Sequence, residues 1–194
     1  MTFVAVVYHS GYGHTAAQAR AVCEGALEVD GVSSCMLFAE DAAADPALLE
    51  RADAIVFGCP TYMGSGSAAF KAFMEATSGI WIAQGWKDRI AAGFTTSGGH
   101  CGDKLGTLVQ LMLFAMQHGM VWVGLGMPDG GNTSASSVES LNRLGAYAGA
   151  MAQANVDQGL EGMVASDLAT ARALGRRVAE CALRWNARAA EAAR

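Results

Sequence analysis

The apolar run Phe3-Val4-Ala5-Val6-Val7-Tyr8 breaks directly into Ser10-Gly11-Tyr12-Gly13-His14-Thr15, and this junction constrains the fold more than any other stretch. It reads as a buried strand, a tight glycine turn and the start of a helix. Such a turn leaves backbone N–H groups unpaired at the positive end of the helix macrodipole, where an anion is welcome. Ser10 and Thr15 add hydroxyls, and the loop carries no lysine or arginine. Amides and hydroxyls alone suit a phosphate that is held, whereas a transferred phosphoryl group wants a cation clamp.

Downstream, short apolar runs alternate with segments of helical period, the pattern of a parallel sheet covered on both faces. The spacing predicts a first strand over 3–9, a helix over 15–29, a second strand over 33–38, a short helix over 46–51 and a third strand over 54–58. A loop and helix over 59–77, a fourth strand over 90–96 and a fifth over 121–123 complete the series. Leu105, Leu108, Val109, Met112, Leu113 and Met116 fit one helical stripe, read as core packing. Residues 128–137 are polar and turn-rich, a surface loop. A last helix begins near Ser166, with Leu174, Val178, Cys181 and Trp185 facing inward, and the Ala/Arg tail frays after Asn186.

Sheets of this kind bind ligands at the carboxyl ends of their strands. Function is therefore sought at Ser10–Thr15, at Cys59–Gly66 and at Thr96–Asp103, loops rich in Gly, Ser and Thr that would converge on one edge. Rival readings exist for each. Gly11-x-Gly13-x-x-Ala16 matches the dinucleotide fingerprint, with Glu40 as a ribose-binding carboxylate, but leaves the other two loops without a role. Cys59 as a phosphatase nucleophile lacks the arginine six residues on, where Ser65 stands, and has no cation before Lys71. His100, Cys101 and Asp103 are too close in sequence for a metal site and have no spaced second pair. His9, His14 and His118 read as local hydrogen-bonders. His100 has the best claim among the histidines to a catalytic role.

With 194 residues, 52% hydrophobic and 16% charged, the chain is sized for a single domain over 1–194. A net charge of -5 disfavours nucleic acid and anionic membranes as partners. Cysteines 23, 35, 59, 101 and 181 form no C-x-x-C pair, which fits a reducing compartment. The first apolar run lacks a basic leader and no stretch reaches the length of a bilayer span, so a cytoplasmic location is expected.

Together, Tyr8-His9-Ser10-Gly11-Tyr12-Gly13-His14-Thr15, Gly58-Cys59-Pro60-Thr61-Tyr62-Met63-Gly64, Gly79-Ile80-Trp81, Phe94-Thr95-Thr96-Ser97-Gly98-Gly99 and His118-Gly119-Met120 resemble the flavodoxin-like NAD(P)H:quinone oxidoreductases of the WrbA type, within the flavodoxin/NADPH-dependent FMN reductase superfamily. The resemblance implies a flavodoxin-like, doubly wound five-stranded sheet of order 2-1-3-4-5 with helices on both faces. It implies FMN as cofactor, with Ser10, Gly11, Tyr12, Gly13, His14 and Thr15 around its phosphate. Pro60, Thr61, Tyr62, Met63 and Gly64 would border the ring and ribityl chain, and Thr96, Ser97, Gly98, Gly99 and His100 would face the ring's polar edge. Trp81 and Tyr12 would meet the substrates. Where the family commonly shows His-His-Gly-Met, this chain has Gln117, which bonds a ring or carbonyl but delivers no proton. Insertions after the second and fifth strands also differ.

The function so implied is two-electron transfer from NAD(P)H to a quinone, with His100 as proton donor and Tyr62, Trp81 and Trp86 as a flat apolar slot. A homodimer or homotetramer is expected. The competing reading is a flavodoxin-type electron carrier with no nicotinamide reaction of its own; carriers show a strongly acidic face near the flavin, and here only Asp103 lies close in sequence.

Overall fold

The computed structural model describes the backbone of residues 1–192 and side chains to Arg188. Its strands are β1 (Thr2–Tyr8), β2 (Val32–Phe38), β3 (Ala54–Tyr62), β4 (Ser65–Gly66), β5 (Ile90–Ser97), β6 (Val121–Trp122) and β7 (Ala150–Gln153). The helices are α1 (His14–Leu27), α2 (Ala39–Ala44), α3 (Ala68–Ala76), α4 (Ser78–Ile82), α5 (Lys104–Gln117) and α6 (Ala165–Ala192). The sheet order β2-β1-β3-β5-β6 is parallel throughout. This is the doubly wound, flavodoxin-like arrangement expected, once the two-residue β4 is set aside.

Alternation of side chains along each strand divides the core between the two faces of the sheet. Val4, Val6 and Tyr8 of β1, Ala54 and Val56 of β3, and Ile90, Ala92 and Phe94 of β5 pack under α1 and α6. Ala5, Val7, Ile55, Phe57, Cys59 and Ala91 pack on the opposite face, with Phe70, Phe73, Trp86, Leu108, Leu111 and Phe114. Near-continuous apolar strands are what a sheet covered on both sides requires.

Several elements depart from the sequence reading. β3 continues through Cys59-Pro60-Thr61-Tyr62, where a loop was expected, and folds back into β4. Met63 (φ 48) and Gly64 (φ 80) supply the two left-handed residues of a tight hairpin. The fifth strand position is split: β6 pairs with the start of β5 and β7 with its end. Between them the chain makes an irregular excursion, closed by Leu125–Tyr147 and Gly130–Asn142 backbone bonds.

The helices also differ. Glu40 lies in α2, a helix absent from the sequence reading, and a single 3-10 turn, Pro46–Leu49, replaces the short helix expected over 46–51. On α5 the expected stripe is buried only in part, at Leu108, with Val109 and Met112 half-buried. Leu105, Leu113 and Met116 are exposed, while Lys104, Thr107, Leu108, Leu111, Phe114 and Ala115 face inward. This helix is apolar on more than one face, and periodicity alone does not tell the faces apart. Trp185 of α6 is likewise exposed, and α6 runs past Asn186 to Ala192 without a break; the end of the tail, residues 193–194, lies outside the described residues.

Candidate functional site

The carboxyl ends of β1, β3, β5 and β7 surround a cavity of about 450 Å³, within the range of small-molecule sites. Its wall is Ser10, Gly11, Tyr12, His14 and Thr15 from the first turn, Pro60 and Tyr62 from β3, Thr96, Ser97 and Gly98 from β5, and Ala154, Val156 and Gln158 beyond β7. Among the described residues no lysine, arginine, aspartate or glutamate lines it.

The first turn is shaped by its own hydrogen bonds. Ser10 Oγ accepts from the N–H groups of Gly13 and Ala16, each at 3.1 Å. Its lone pairs are thereby engaged and its own proton remains to donate. Gly13 caps α1 in the left-handed region (φ 90), a conformation glycine adopts without strain. A Cβ at Gly11 would stand 2.8 Å from the Tyr62 hydroxyl, so a side chain there would push the tip of that exposed ring aside. The N–H groups of Gly11, Tyr12, His14 and Thr15 have no protein partner among the described residues. Together with the α1 terminus they form a cradle for a phosphate.

The side chain of His14 points elsewhere. Its Nε2 meets the carbonyl oxygens of Gln158 (3.1 Å) and Gly159 (3.0 Å), so the ring N–H fastens the segment after β7 to the first turn. That segment is the part of the wall that sequence reasoning missed. Its strand, Ala-Met-Ala-Gln, has weak strand propensity, and the remaining signal is the amide pair Gln153 and Asn155 at the strand's end.

Tyr12 is largely exposed and meets Tyr62 edge-on, with ring centroids 6.4 Å apart. Thr96 is buried and donates to Gln18 Oε1 at 2.6 Å. Thr61 lies below the surface in a hydroxyl cluster, 2.8 Å from both Thr95 Oγ1 and Thr107 Oγ1. Gly13, Thr61, Met63, Gly64, Gly99 and His100 adjoin the loops but are not part of the cavity wall, and Met63 and His100 are exposed.

Trp81 and Gln117 line a separate groove with Lys71, Met74, Leu113 and His118. Trp86 borders neither the cavity nor the Trp81 groove: it is buried in the core beside Phe57, Phe73 and Phe114, its ring 4.5 Å from that of His118. Burial pushes the Cys59 thiol up to about 12, which leaves it protonated and no nucleophile. Glu40 is paired with His9 Nδ1 at 2.7 Å. Among the described residues no group of His, Cys, Asp and Glu is arranged to hold a metal, and no helix is long and apolar enough to cross a membrane.

A doubly wound parallel sheet with an amide-lined, cation-free cavity at its strand ends defines a flavodoxin-like α/β protein. Residues 22–128 match the model of the NADPH-dependent FMN reductase family. The chain is 42% identical over 183 residues to "Flavodoxin FldP" of Pseudomonas aeruginosa, covering 92% of this chain and 96% of that one. It is 32% identical to an "NAD(P)H dehydrogenase (quinone)" of Geobacter sulfurreducens, over 94% and 98% of the two chains. Among solved structures it is similar to a flavodoxin, WrbA-like protein from Agrobacterium tumefaciens, with a TM-score of 0.73, 40% identity and coverage of 95% and 99%. The chain belongs to the NADPH-dependent FMN reductase family, FMN-binding oxidoreductases of flavodoxin-like fold.

Proposed function

We propose that the protein binds FMN in this cavity and transfers two electrons from NAD(P)H to a quinone or similar small acceptor. One observation carries the reading: an amide cradle at the α1 terminus opens onto a neutral cavity edged by Tyr12 and Tyr62. The residues fit the group. Gly11 leaves no side chain in the cradle, the Ser10 hydroxyl keeps a proton to donate, and unpaired N–H groups face no protein acceptor. The chemistry a bound FMN supplies is two-electron redox transfer; the protein supplies orientation and electrostatics.

In this reading Ser10, Gly11, Tyr12, His14 and Thr15 hold the phosphate, chiefly through backbone N–H groups. Pro60, Tyr62 and Thr96–Gly98 border the rest of the cofactor. Tyr12 and Tyr62 present aromatic faces at the mouth, where a nicotinamide or quinone ring stacks. His100 lies off the wall on the exposed part of its loop and is assigned no proton transfer. Trp81 and Gln117, with the exposed Leu113 and Met116 of α5, suit a contact with a second copy of the chain.

The relative bearing the name flavodoxin keeps an electron-carrier reading in view. A carrier steers its partners with a strongly acidic rim; among the described residues the cavity wall carries no carboxylate, and the segment after β7 adds two exposed ones, Asp157 and Glu161. Anaerobic mixing of FMN-loaded protein with NADH or NADPH, followed by menadione, separates the two. Rapid bleaching and reoxidation with ping-pong kinetics supports the enzyme. Failure to bleach with either nucleotide, with FMN bound, overturns it.

A further inference from the structure

Behind the cavity, two side chains outside its wall grip the β5 loop. Lys104, the first residue of α5, is fully buried. Its Nζ donates to Ser97 Oγ at 2.8 Å and to the Gly99 carbonyl oxygen at 2.6 Å. From β7, Gln153 Nε2 donates to the Gly98 carbonyl oxygen at 3.0 Å. Gln153 is itself fixed, because its backbone N–H donates to Asp167 Oδ2 at 2.9 Å, the oxygen that also accepts from Arg143 Nη2 at 2.7 Å.

These ties have a geometric consequence. In a trans peptide the C=O and the following N–H point in opposite directions. Anchoring the carbonyls of Gly98 and Gly99 toward Lys104 and Gln153 therefore turns the N–H groups of Gly99 and His100 to the other side. They have an electrostatic consequence as well. Lys104 feels the charges of Asp167 and Arg143, and Arg143 already pairs with Asp167 at 2.7 Å. With Arg143 and Asp167 offsetting each other, Lys104 keeps an uncompensated positive charge beneath the loop. A buried ammonium is costly to desolvate, and burial pulls the Lys104 ammonium down to about 8. Packing alone would be served better by an apolar side chain.

We infer that Lys104 is a positioning residue for the cofactor: it locks the Ser97–Gly99 loop and places a buried cation behind it, so that the site favours reduced over oxidised FMN. The inference rests on the FMN reading above. Gln153 shares the positioning role without the charge. The site thus combines a cation-free wall with a charge behind it, acting through the loop dipoles rather than by contact.

The experiment compares wild type, Lys104→Met, Lys104→Arg and Gln153→Met. FMN affinity is measured by fluorescence quenching, and the midpoint potential of the bound cofactor by equilibration with reference dyes. Lys104→Met is expected to lower the preference for reduced over oxidised FMN at least about tenfold, about 30 mV more negative for a two-electron couple. Lys104→Arg recovers most of that shift. Gln153→Met weakens both redox states alike and leaves the potential where it was. If Lys104→Met is too unstable to purify, Lys104→Gln, a neutral donor, is held to the same criterion. A wild-type protein that binds no FMN overturns the functional reading. FMN bound with an unchanged potential in the neutral variant overturns the inference alone.

Discussion

The ring Nε2 of His14 lies 3.0 Å from the carbonyl oxygen of Gly159, across most of the chain in sequence. Through this bond the first turn of α1 and the segment after β7 close over the same cavity. A second bond to Gln158 makes the tie bifurcated. His14→Leu removes both at an exposed site, so the fold survives while the wall loosens. The expected loss is about 1 kcal/mol of FMN affinity, roughly fivefold, carried mainly by faster dissociation. Stopped-flow release of FMN checks it; an unchanged off-rate contradicts the role given to His14.

Gly98 and Val156 approach each other across the cavity wall. A Cβ at position 98 would lie 2.5 Å from Val156 Cγ1, too close for either to stay. Gly98→Ala is expected to displace the segment after β7 and weaken FMN binding by about tenfold, with little effect on the two distant core clusters. The double variant Gly98→Ala/Val156→Ala should recover most of the loss, as coupling between touching residues requires. Additive losses in the double variant would show that the contact is not the cause.

Much of the frame was legible because its signals are local. The Phe3–Tyr8 run and the glycines after it encode both β1 and its turn, and Ala54–Phe57 and Ile90–Phe94 encode their strands through burial on both faces. The α5 stripe misled because Leu105, Leu113 and Met116 satisfy the helical period as well as Leu108, Leu111 and Phe114 do. What separates them is which face meets β5, a tertiary fact. Trp86 misled similarly: an aromatic near the ligand loops in sequence sits in the core because Phe57, Phe73 and Phe114 converge there. The segment after β7 escaped the sequence because its strand, Ala-Met-Ala-Gln, is short and weak in strand propensity. The buried Lys104 was visible as a letter but not as a cation behind the loop, since only the folded chain sets its ammonium against Ser97 and Gly99.

Gly25 of α1 and Gly175 of α6 mark where these helices cross. A Cβ on Gly25 would overlap the Arg172 carbonyl oxygen, and one on Gly175 the Val22 carbonyl oxygen. Helix propensity alone predicts that Gly175→Ala stabilises by about 1 kcal/mol. Overpacking against backbone, which cannot rotate away as a side chain does, costs about 1–3 kcal/mol. The second effect is larger, so net destabilisation is expected. Urea denaturation of the apoprotein decides, and a stabilised variant would mean that the helices separate freely.

His118 gives a pH dependence with a definite sign. The Thr77 hydroxyl donates to the Met74 carbonyl oxygen at 2.8 Å, so its oxygen accepts from His118 Nε2 at 2.9 Å. This leaves Nδ1 buried with no partner among the described residues. Protonation there would create a buried N–H with nothing to bond, beneath the rings of Trp86 and Phe114. Burial accordingly pushes the imidazole from 6.5 down to about 4. Between those values the unfolded chain binds the proton and the folded chain does not, so stability falls as the pH drops through that window. The contribution is fully present above 6.5 and lost toward 4. His118→Leu removes the difference in proton binding. Its unfolding free energy should therefore vary less between pH 6.5 and 4 than that of wild type, the carboxylates acting on both alike. Equal slopes in urea titrations at matched pH values would place the proton elsewhere.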